Sequence, residues 1–201
     1  MAVDTTIYFL RHGITDSNKK GIWQLSLDED LSPEGVEQAR KVSVAIEGLR
    51  PDVVVSSPMK RALITAQIVS EEVGIGSIVT IPELAERKGG VIEGMTSQQI
   101  HDKFGISIHT ILDVSIDRLS GVEPVDAFSQ RVMSAVRKIE EKYRGKRILV
   151  VTHGGVIRAF YTFFVSNNSD RRVFRNCSIL GVKREAGTWA AFYFLDTEYQ
   201  Q

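Results

Sequence analysis

Short apolar runs alternate with segments of helical spacing along most of the chain. Residues 5–10 (TTIYFL) are largely β-branched or aromatic, and the polar sequence Arg-His-Gly interrupts them abruptly at residue 11. Runs of this kind, bounded by polar residues, are typical of buried strands. The same pattern predicts strands over residues 52–57, 78–80, 147–152, 178–183 and 189–195.

Helical spacing separates these runs. Ser32 can cap a helix and Pro33 suits its first turn, so a helix is predicted from here to about Gly48. Further helices are predicted over about 59–73, 97–104, 125–143 and 156–165, and 105–122 is predicted to be mostly helical. The alternation predicts an α/β fold, a three-layer sandwich with a mostly parallel central sheet, helices on both faces, a small helical cap and an antiparallel strand pair at the end.

The composition is that of one globular unit. The chain has 201 residues, of which 43% are hydrophobic, enough to bury a core in a single domain. We therefore predict one domain over residues 1–201, with a cap-like insertion at about 96–122. Twenty-five basic and 25 acidic residues leave a formal net charge of zero, which argues against nucleic acid or an anionic membrane as partner.

The chain shows no sign of secretion or membrane insertion. Residues 1–4 lead directly into the first predicted strand without a basic and apolar leader, and no apolar run has the length of a membrane span. Cys177 is the only cysteine, so no internal disulfide can form, and we expect it to be a buried, small apolar residue. A cytoplasmic protein is predicted, and a homodimer is left open.

Three polar clusters follow predicted strands. They are Arg11-His12-Gly13, residues 56–61 with Arg61 at their end, and Thr152-His153-Gly154. In open parallel sheets, ligands bind beyond the carboxyl ends of the strands. We therefore expect the three clusters to meet in one site.

Two arginines and two histidines suit a phosphoryl group. The guanidinium fork binds phosphate oxygens in pairs, and neutral imidazole is a good nucleophile that can carry a covalent phosphoryl group. The other ring nitrogen of His12 would donate to a backbone carbonyl near Gly13, and the amides at the helix start after His153, including Gly154, could bind phosphoryl oxygens. The alternative is that both histidines have only a structural role. Arginine neighbours would repel a divalent cation, so neither a metal nor another cofactor is predicted.

The motifs resemble those of the histidine phosphatases, also called the phosphoglycerate mutase-like superfamily, over nearly the whole chain. The resemblance rests on residues 10–13 with Thr15 and Asn18, residues 31–32 with Gly35, Gln38 and Ala39, residues 56–62 with Thr65 and Ala66, residues 84–86 with Gly90 and residues 93–96, and residues 151–155.

The resemblance implies a role for each matching residue. His12 is the nucleophile, and Glu86 protonates the leaving oxygen and then activates water. Arg11, Arg61 and His153 hold the phosphoryl group, and Asn18 is an additional donor. From the residues alone, two nearby glutamates are alternatives to Glu86, and two further histidines are expected to be surface or packing residues; these are Glu83, Glu93, His101 and His109.

Some positions depart from the family pattern and bear on the reaction. Asp30 precedes Leu31 where a proline is usual, and Gly89 stands where an aromatic residue is often found. Arg87 after Glu86 resembles the mutase branch. The short segment before residue 121, however, lacks the paired arginines with which mutases bind a carboxylate, since Arg118 stands alone.

These features favour a phosphomonoester hydrolase that acts on a small phosphorylated metabolite. A 2,3-bisphosphoglycerate-dependent phosphoglycerate mutase is the first alternative, because Arg87 matches that branch. A non-catalytic protein that binds phosphorylated ligands is the second. It would need neither a nucleophile at His12 nor an acid at Glu86.

Overall fold

A six-stranded mixed sheet forms the centre of the molecule, in the strand order β3-β2-β4-β1-β5-β6. The structure is a computed structural model that describes residues 5–165, 172–185 and 187–196. Strands β1 to β4 pair in parallel, whereas β5 and β6 are antiparallel at one edge. The strands are β1 (Thr6–Arg11), β2 (Val53–Ser56), β3 (Ile78–Thr80), β4 (Arg147–Thr152), β5 (Ile179–Glu185) and β6 (Thr188–Leu195).

Helices cover both faces of this sheet, which confirms the predicted three-layer α/β architecture. One core lies between the sheet and α5 and α6, and the other lies between the sheet and α2 and α3. The helices are α1 (Asp16–Lys19), α2 (Pro33–Leu49), α3 (Lys60–Glu72), α4 (Ser97–Phe104), α5 (Val125–Lys142) and α6 (Gly154–Phe164). In the described part of the chain, no helix combines the length and apolarity that a membrane span requires.

The central strands are apolar because both of their faces are covered. In β1, Ile7 and Phe9 belong to the core under α5 and α6, whereas Tyr8 and Leu10 belong to the core under α2 and α3. Successive strand residues point to opposite faces, so a sheet buried on both sides needs apolar side chains at every position. This continuous run is what made β1 and β4 recognisable in the sequence.

Element ends differ little from the predictions. Helix α2 extends beyond Gly48 to Leu49, where Arg50 with φ 50° ends it, and α6 begins at Gly154 instead of residue 156. The four-residue helix α1 was not predicted; a capping box between Thr15 and Asn18 stabilises its start. Residues 1–4, on which the expectation about a leader depended, lie outside the described residues.

The segment after α4 contradicts the prediction of mostly helical structure. Between residues 105 and 122, only Val114–Ile116 form a 3₁₀ turn. The isoleucines of residues 105–122 instead form a separate small core with Ile92 and Ile100. The fully buried Arg87 donates to the carbonyls of Ile111 and Asp113, so a side chain satisfies backbone groups that a helix would have paired internally.

Candidate active site

The two motif histidines come together because their strands are neighbours. Arg11 at the end of β1 is opposite Thr152 at the end of β4, and the backbone N–H of His12 donates to the Thr152 carbonyl at 2.9 Å. The rings of His12 and His153 then lie 5.3 Å apart, centroid to centroid. Arg61 reaches the same place from the first turn of α3, so the three predicted clusters meet.

The ring of His12 has a defined orientation. Its Nδ1 lies 2.7 Å from the Gly13 carbonyl oxygen, so Nδ1 donates and the lone pair is on Nε2. That Nε2 accepts from Arg61 Nε at 3.2 Å. Burial, reinforced by the charges of Arg61 and Arg11, lowers the pKa of His12 well below its usual value. The imidazole is therefore neutral at pH 7, as a nucleophile must be.

A close glycine contact holds the loop after His12. A Cβ on Gly13 would lie 2.5 Å from the Gly35 carbonyl oxygen, and a Cβ on Gly35 would lie 2.1 Å from that of Ile14. The Gly13 N–H donates to Thr65 Oγ1 at 3.1 Å, and the Ile14 N–H donates to Gln38 Oε1 at 2.7 Å. Several residues that carried the family resemblance thus position the His12 loop.

Arg61 is buried and points its Nε at His12 because its other nitrogens are anchored. NH1 donates to the Leu27 carbonyl at 2.7 Å, and NH2 donates to the Leu25 carbonyl at 2.8 Å. Leu25 has a left-handed backbone with φ 52°. A Cβ on Gly89 would lie 2.0 Å from the Leu25 side chain. The glycine at position 89, where the family often has an aromatic residue, therefore leaves the space that Leu25 occupies.

Arg11 forms the opposite wall. Its NH1 donates to the Phe174 carbonyl at 2.7 Å, while its buried Nε has no hydrogen-bond partner among the described residues. Burial lowers the pKa of Arg11 to about 10, and the nearby carboxylate of Glu86 counteracts part of that effect. The guanidinium remains charged at neutral pH. A Cβ on Gly154 would be 3.4 Å from Arg11 Nε, so α6 starts directly against it.

His153 is the N-cap residue of α6 and is completely buried. Ser57 Oγ lies 2.8 Å from its Nε2, and Nδ1 has no partner in the part of the chain that the structure describes. Burial and the charge of Arg61 lower the pKa of His153 well below its usual value. Burying a polar atom without a hydrogen-bond partner costs free energy. A ligand that forms a hydrogen bond with Nδ1 would remove this cost.

Glu86 is the glutamate that faces this site. Its Oε2 accepts the N–H of Gly155 at 2.9 Å, and its Oε1 accepts the N–H of Arg87 at 2.9 Å. Glu83 instead forms an ion pair with Lys138 at 2.7 Å, and Glu93 binds the Ser26 hydroxyl. Only Glu86 of the three is in the cavity wall with His12.

Asn18 also belongs to the site, through a polar network that the sequence did not indicate. Its Oδ1 accepts from Asn176 Nδ2 at 3.1 Å, and its Nδ2 donates to Gln24 Oε1 at 3.2 Å. Asn176 donates as well to the His12 carbonyl at 3.0 Å. The amide of Asn18 is thereby oriented at the cavity wall.

These side chains surround a cavity of about 290 Å³. The sequence reasoning missed several of its wall residues: Trp23, Gln24, Thr110, Arg158, Phe174 and, contrary to the expectation for a surface or packing residue, His109. Arg158 lies four residues after Gly154, on the same face of α6, but the predicted helix began only at residue 156, so the sequence did not place these two residues together. His109 comes from the irregular segment, whose path no local pattern revealed.

Two predicted features of other kinds are also located. Cys177 is buried as expected, and burial raises the pKa of its thiol to about 12. Arg87, the residue that resembles the mutase branch, is bonded inside the segment 111–123 and is not part of the cavity wall. Arg118 is exposed. Among the described residues, no group of three His, Cys, Asp or Glu side chains is placed to hold a metal ion.

Fold and site together define an α/β protein whose histidines and arginines gather around one cavity, and sequence comparison identifies its family. The pattern of the histidine phosphatase superfamily (branch 1) matches residues 7–197. The chain belongs to this superfamily.

Relatives include both phosphatases and mutases. The chain is similar to a metal-independent phosphoserine phosphatase of Arabidopsis thaliana, at 33% identity over 78% of this chain and 67% of the relative. It is similar to a 2,3-bisphosphoglycerate-dependent phosphoglycerate mutase of Azorhizobium caulinodans, at 32% identity over 78% and 80%. The solved phosphoglycerate mutase of Bacillus anthracis has the same fold, with a TM-score of 0.80 at 24% identity over 95% of this chain and 92% of that one.

Proposed function

We propose that the protein is a metal-independent phosphomonoester hydrolase that acts on small phosphorylated metabolites through a phosphohistidine at His12. One observation carries this proposal: the Gly13 carbonyl occupies Nδ1 of His12, so the lone pair of Nε2 points toward Arg61 in a cavity that Glu86 also lines. A nucleophile, an acid and two guanidinium groups around one small space are the parts that phosphoryl transfer needs.

In the first step, Nε2 of His12 attacks phosphorus and the bond to the leaving oxygen breaks. Glu86 gives its proton to that oxygen. Arg61 Nε, which contacts Nε2 in the free protein, moves to a phosphoryl oxygen when substrate binds. Arg11 Nε and His153 Nδ1, both without partners in the described protein, take further oxygens. The charges of the two guanidinium groups and the N–H groups of all three side chains stabilise the negative charge of the transition state.

The second step regenerates the enzyme. Glu86, now ionised, accepts a proton from water, and the oxygen of that water attacks phosphorus as the bond to Nε2 breaks. Inorganic phosphate leaves and His12 is again neutral. The amide of Gly154, at the start of α6, and the side chain of Asn18 supply additional donors to the phosphoryl oxygens.

The cap segment supports hydrolysis over phosphoryl return. It contributes His109, Thr110 and Ile111 to the cavity and no arginine. Arg87, the feature that pointed to a mutase, has its guanidinium bonded to carbonyl groups of the cap. Phosphoglycerate mutase remains the second candidate because a relative of that name is 32% identical to this chain.

One experiment separates these candidates. The purified protein is given 3-phosphoglycerate with catalytic 2,3-bisphosphoglycerate in EDTA, and phosphate and 2-phosphoglycerate are followed together with acid-labile phosphoprotein. A hydrolase releases phosphate from a phosphoester substrate and labels His12, so His12→Ala abolishes both signals. His101→Ala, at an exposed position of α4, is the matched control. Isomerisation with little phosphate would identify a mutase, and metal-dependent turnover would contradict the mechanism.

A further inference from the structure

Arg158 is a half-buried cation in the cavity wall. Its NH2 donates to the Arg172 carbonyl at 2.9 Å, and its guanidinium lies 5.9 Å from the centre of the Phe174 ring. Among the described residues, no carboxylate forms an ion pair with it. Burial lowers the pKa of Arg158. A desolvated charge of this kind is costly unless a ligand supplies the counter-ion.

The phosphoryl group itself does not supply that counter-ion. If the proposed function holds, Arg11 and Arg61 contribute two positive charges against the two negative charges of a phosphomonoester. These charges already balance. Arg158 lines the same cavity and, within the described residues, has no acidic partner.

The position of Arg158 limits the size of a ligand that could contact both Arg158 and Arg11. Arg158 lies one helical turn after Gly154, which contacts Arg11, so the two cations line the same side of the cavity. Phe174 lies between them, with its carbonyl bonded to Arg11 and its ring beside Arg158. A cavity of about 290 Å³ accommodates a small skeleton that spans this distance.

We infer that Arg158 binds a carboxylate of the substrate, and that the preferred substrates are phosphomonoesters of small hydroxy acids. A carboxylate matches a single remaining positive charge, and the planar guanidinium binds it through paired N–H groups. This inference deepens the proposed function and depends on it for the phosphoryl end of the ligand. It assigns to Arg158 a role in specificity that the chemistry at His12 does not require.

A matched pair of substrates tests the carboxylate directly. Phosphoserine and phosphoethanolamine differ only in this group, so the ratio of their kcat/KM values measures its recognition. We expect the wild type to prefer phosphoserine by about tenfold or more, the range for a hydrogen bond to a charged group. Arg158→Gln should bring the ratio close to one by lowering the phosphoserine value alone, and Arg158→Lys should retain part of the preference. Arg40→Gln, at an exposed position of α2, is the control.

The outcomes distinguish the inference from the proposed function. Turnover of p-nitrophenyl phosphate without a preference for phosphoserine, or an unchanged preference in Arg158→Gln, would overturn the role of Arg158 alone. If no phosphoester is hydrolysed, the proposed function fails. Calorimetry then measures the binding of the same two compounds to His12→Ala and to the double variant His12→Ala/Arg158→Gln, which tests the carboxylate site without turnover. Equal affinity of the two proteins for phosphoserine would overturn the site.

Discussion

The backbone N–H of Gly155 donates a hydrogen bond of 2.9 Å to Oε2 of Glu86. This contact joins two distant parts of the chain, the loop after β3 and the start of α6. A Cβ at position 155 would lie 2.2 Å from Oε1 of Glu86, so only glycine leaves room for the carboxylate. The Gly-Gly sequence after His153 therefore determines where the proposed acid can lie.

Gly155→Ala should displace the Glu86 carboxylate and lower kcat by about a hundredfold, because misplacement by about 1 Å costs this much in comparable sites. Steady-state kinetics on an alkyl phosphate would measure the loss. Gly48→Ala is the control, since a Cβ there meets nothing within 4 Å and α2 should become slightly more stable. Normal activity in Gly155→Ala would show that the position of Glu86 is not critical.

Glu86→Gln should slow substrates according to their leaving groups. The amide cannot protonate a poor leaving group, so hydrolysis of an alkyl phosphate should fall by about 10²- to 10⁴-fold and that of p-nitrophenyl phosphate much less. Glu83→Gln changes a glutamate that is paired with Lys138 outside the cavity, and should leave both rates close to wild type. Equal losses for the two substrates in Glu86→Gln would contradict the role of an acid.

Arg131 holds the backbone around Glu86. Its guanidinium donates to the carbonyls of Glu83, Ala85 and Glu86 and pairs with Glu123. Lysine lacks this fork, so Arg131→Lys should lower the free energy of unfolding by about 2 kcal/mol and reduce kcat for alkyl phosphates more than for p-nitrophenyl phosphate. Urea unfolding and kinetics would measure both. Arg137→Lys, at an exposed position of the same helix, should change neither; a stability loss with an unchanged leaving-group dependence would make Arg131 merely structural.

The buried histidines should make stability depend on pH. The folded protein lowers the pKa of His12 and His153 well below 6.5, so the unfolded chain binds more protons as the solution is acidified. Their contribution to the free energy of unfolding is complete above pH 6.5. Below pH 6.5 the free energy of unfolding falls, with a slope of up to about 1.4 kcal/mol per pH unit for each histidine. Denaturant unfolding between about pH 7.5 and pH 5.5 measures this slope.

The corresponding variants separate these histidines from other titrating groups. His12→Gln and His153→Gln should each remove part of the slope, because the unfolded chain then has one proton fewer to bind. His101→Gln, at an exposed position, should keep the wild-type slope. A wild-type slope in both site variants would show that the two histidines are not held neutral.

The parts of the site that were predictable follow strands with a strong local signal. Strands β1 and β4 are apolar throughout, and the polar residues that interrupt them mark the ends of the strands. Because both ends lie at the same edge of a parallel sheet, His12 and His153 could be placed together from sequence. The choice of Glu86 over Glu83 and Glu93 came only from the family resemblance. In the structure it agrees with the location of Glu86 in the cavity wall.

The sequence by itself determined the order of strands and helices, the buried sheet and the residues that gather at its carboxyl edge, because hydrophobic periodicity and strand ends are local properties. Tertiary structure decided the path of residues 105–122, since Arg87 pairs with their backbone across a large sequence separation and holds them out of a helix. It also decided which additional side chains enter the cavity. His109 and Arg158 meet there only through long-range packing, which no local pattern encodes.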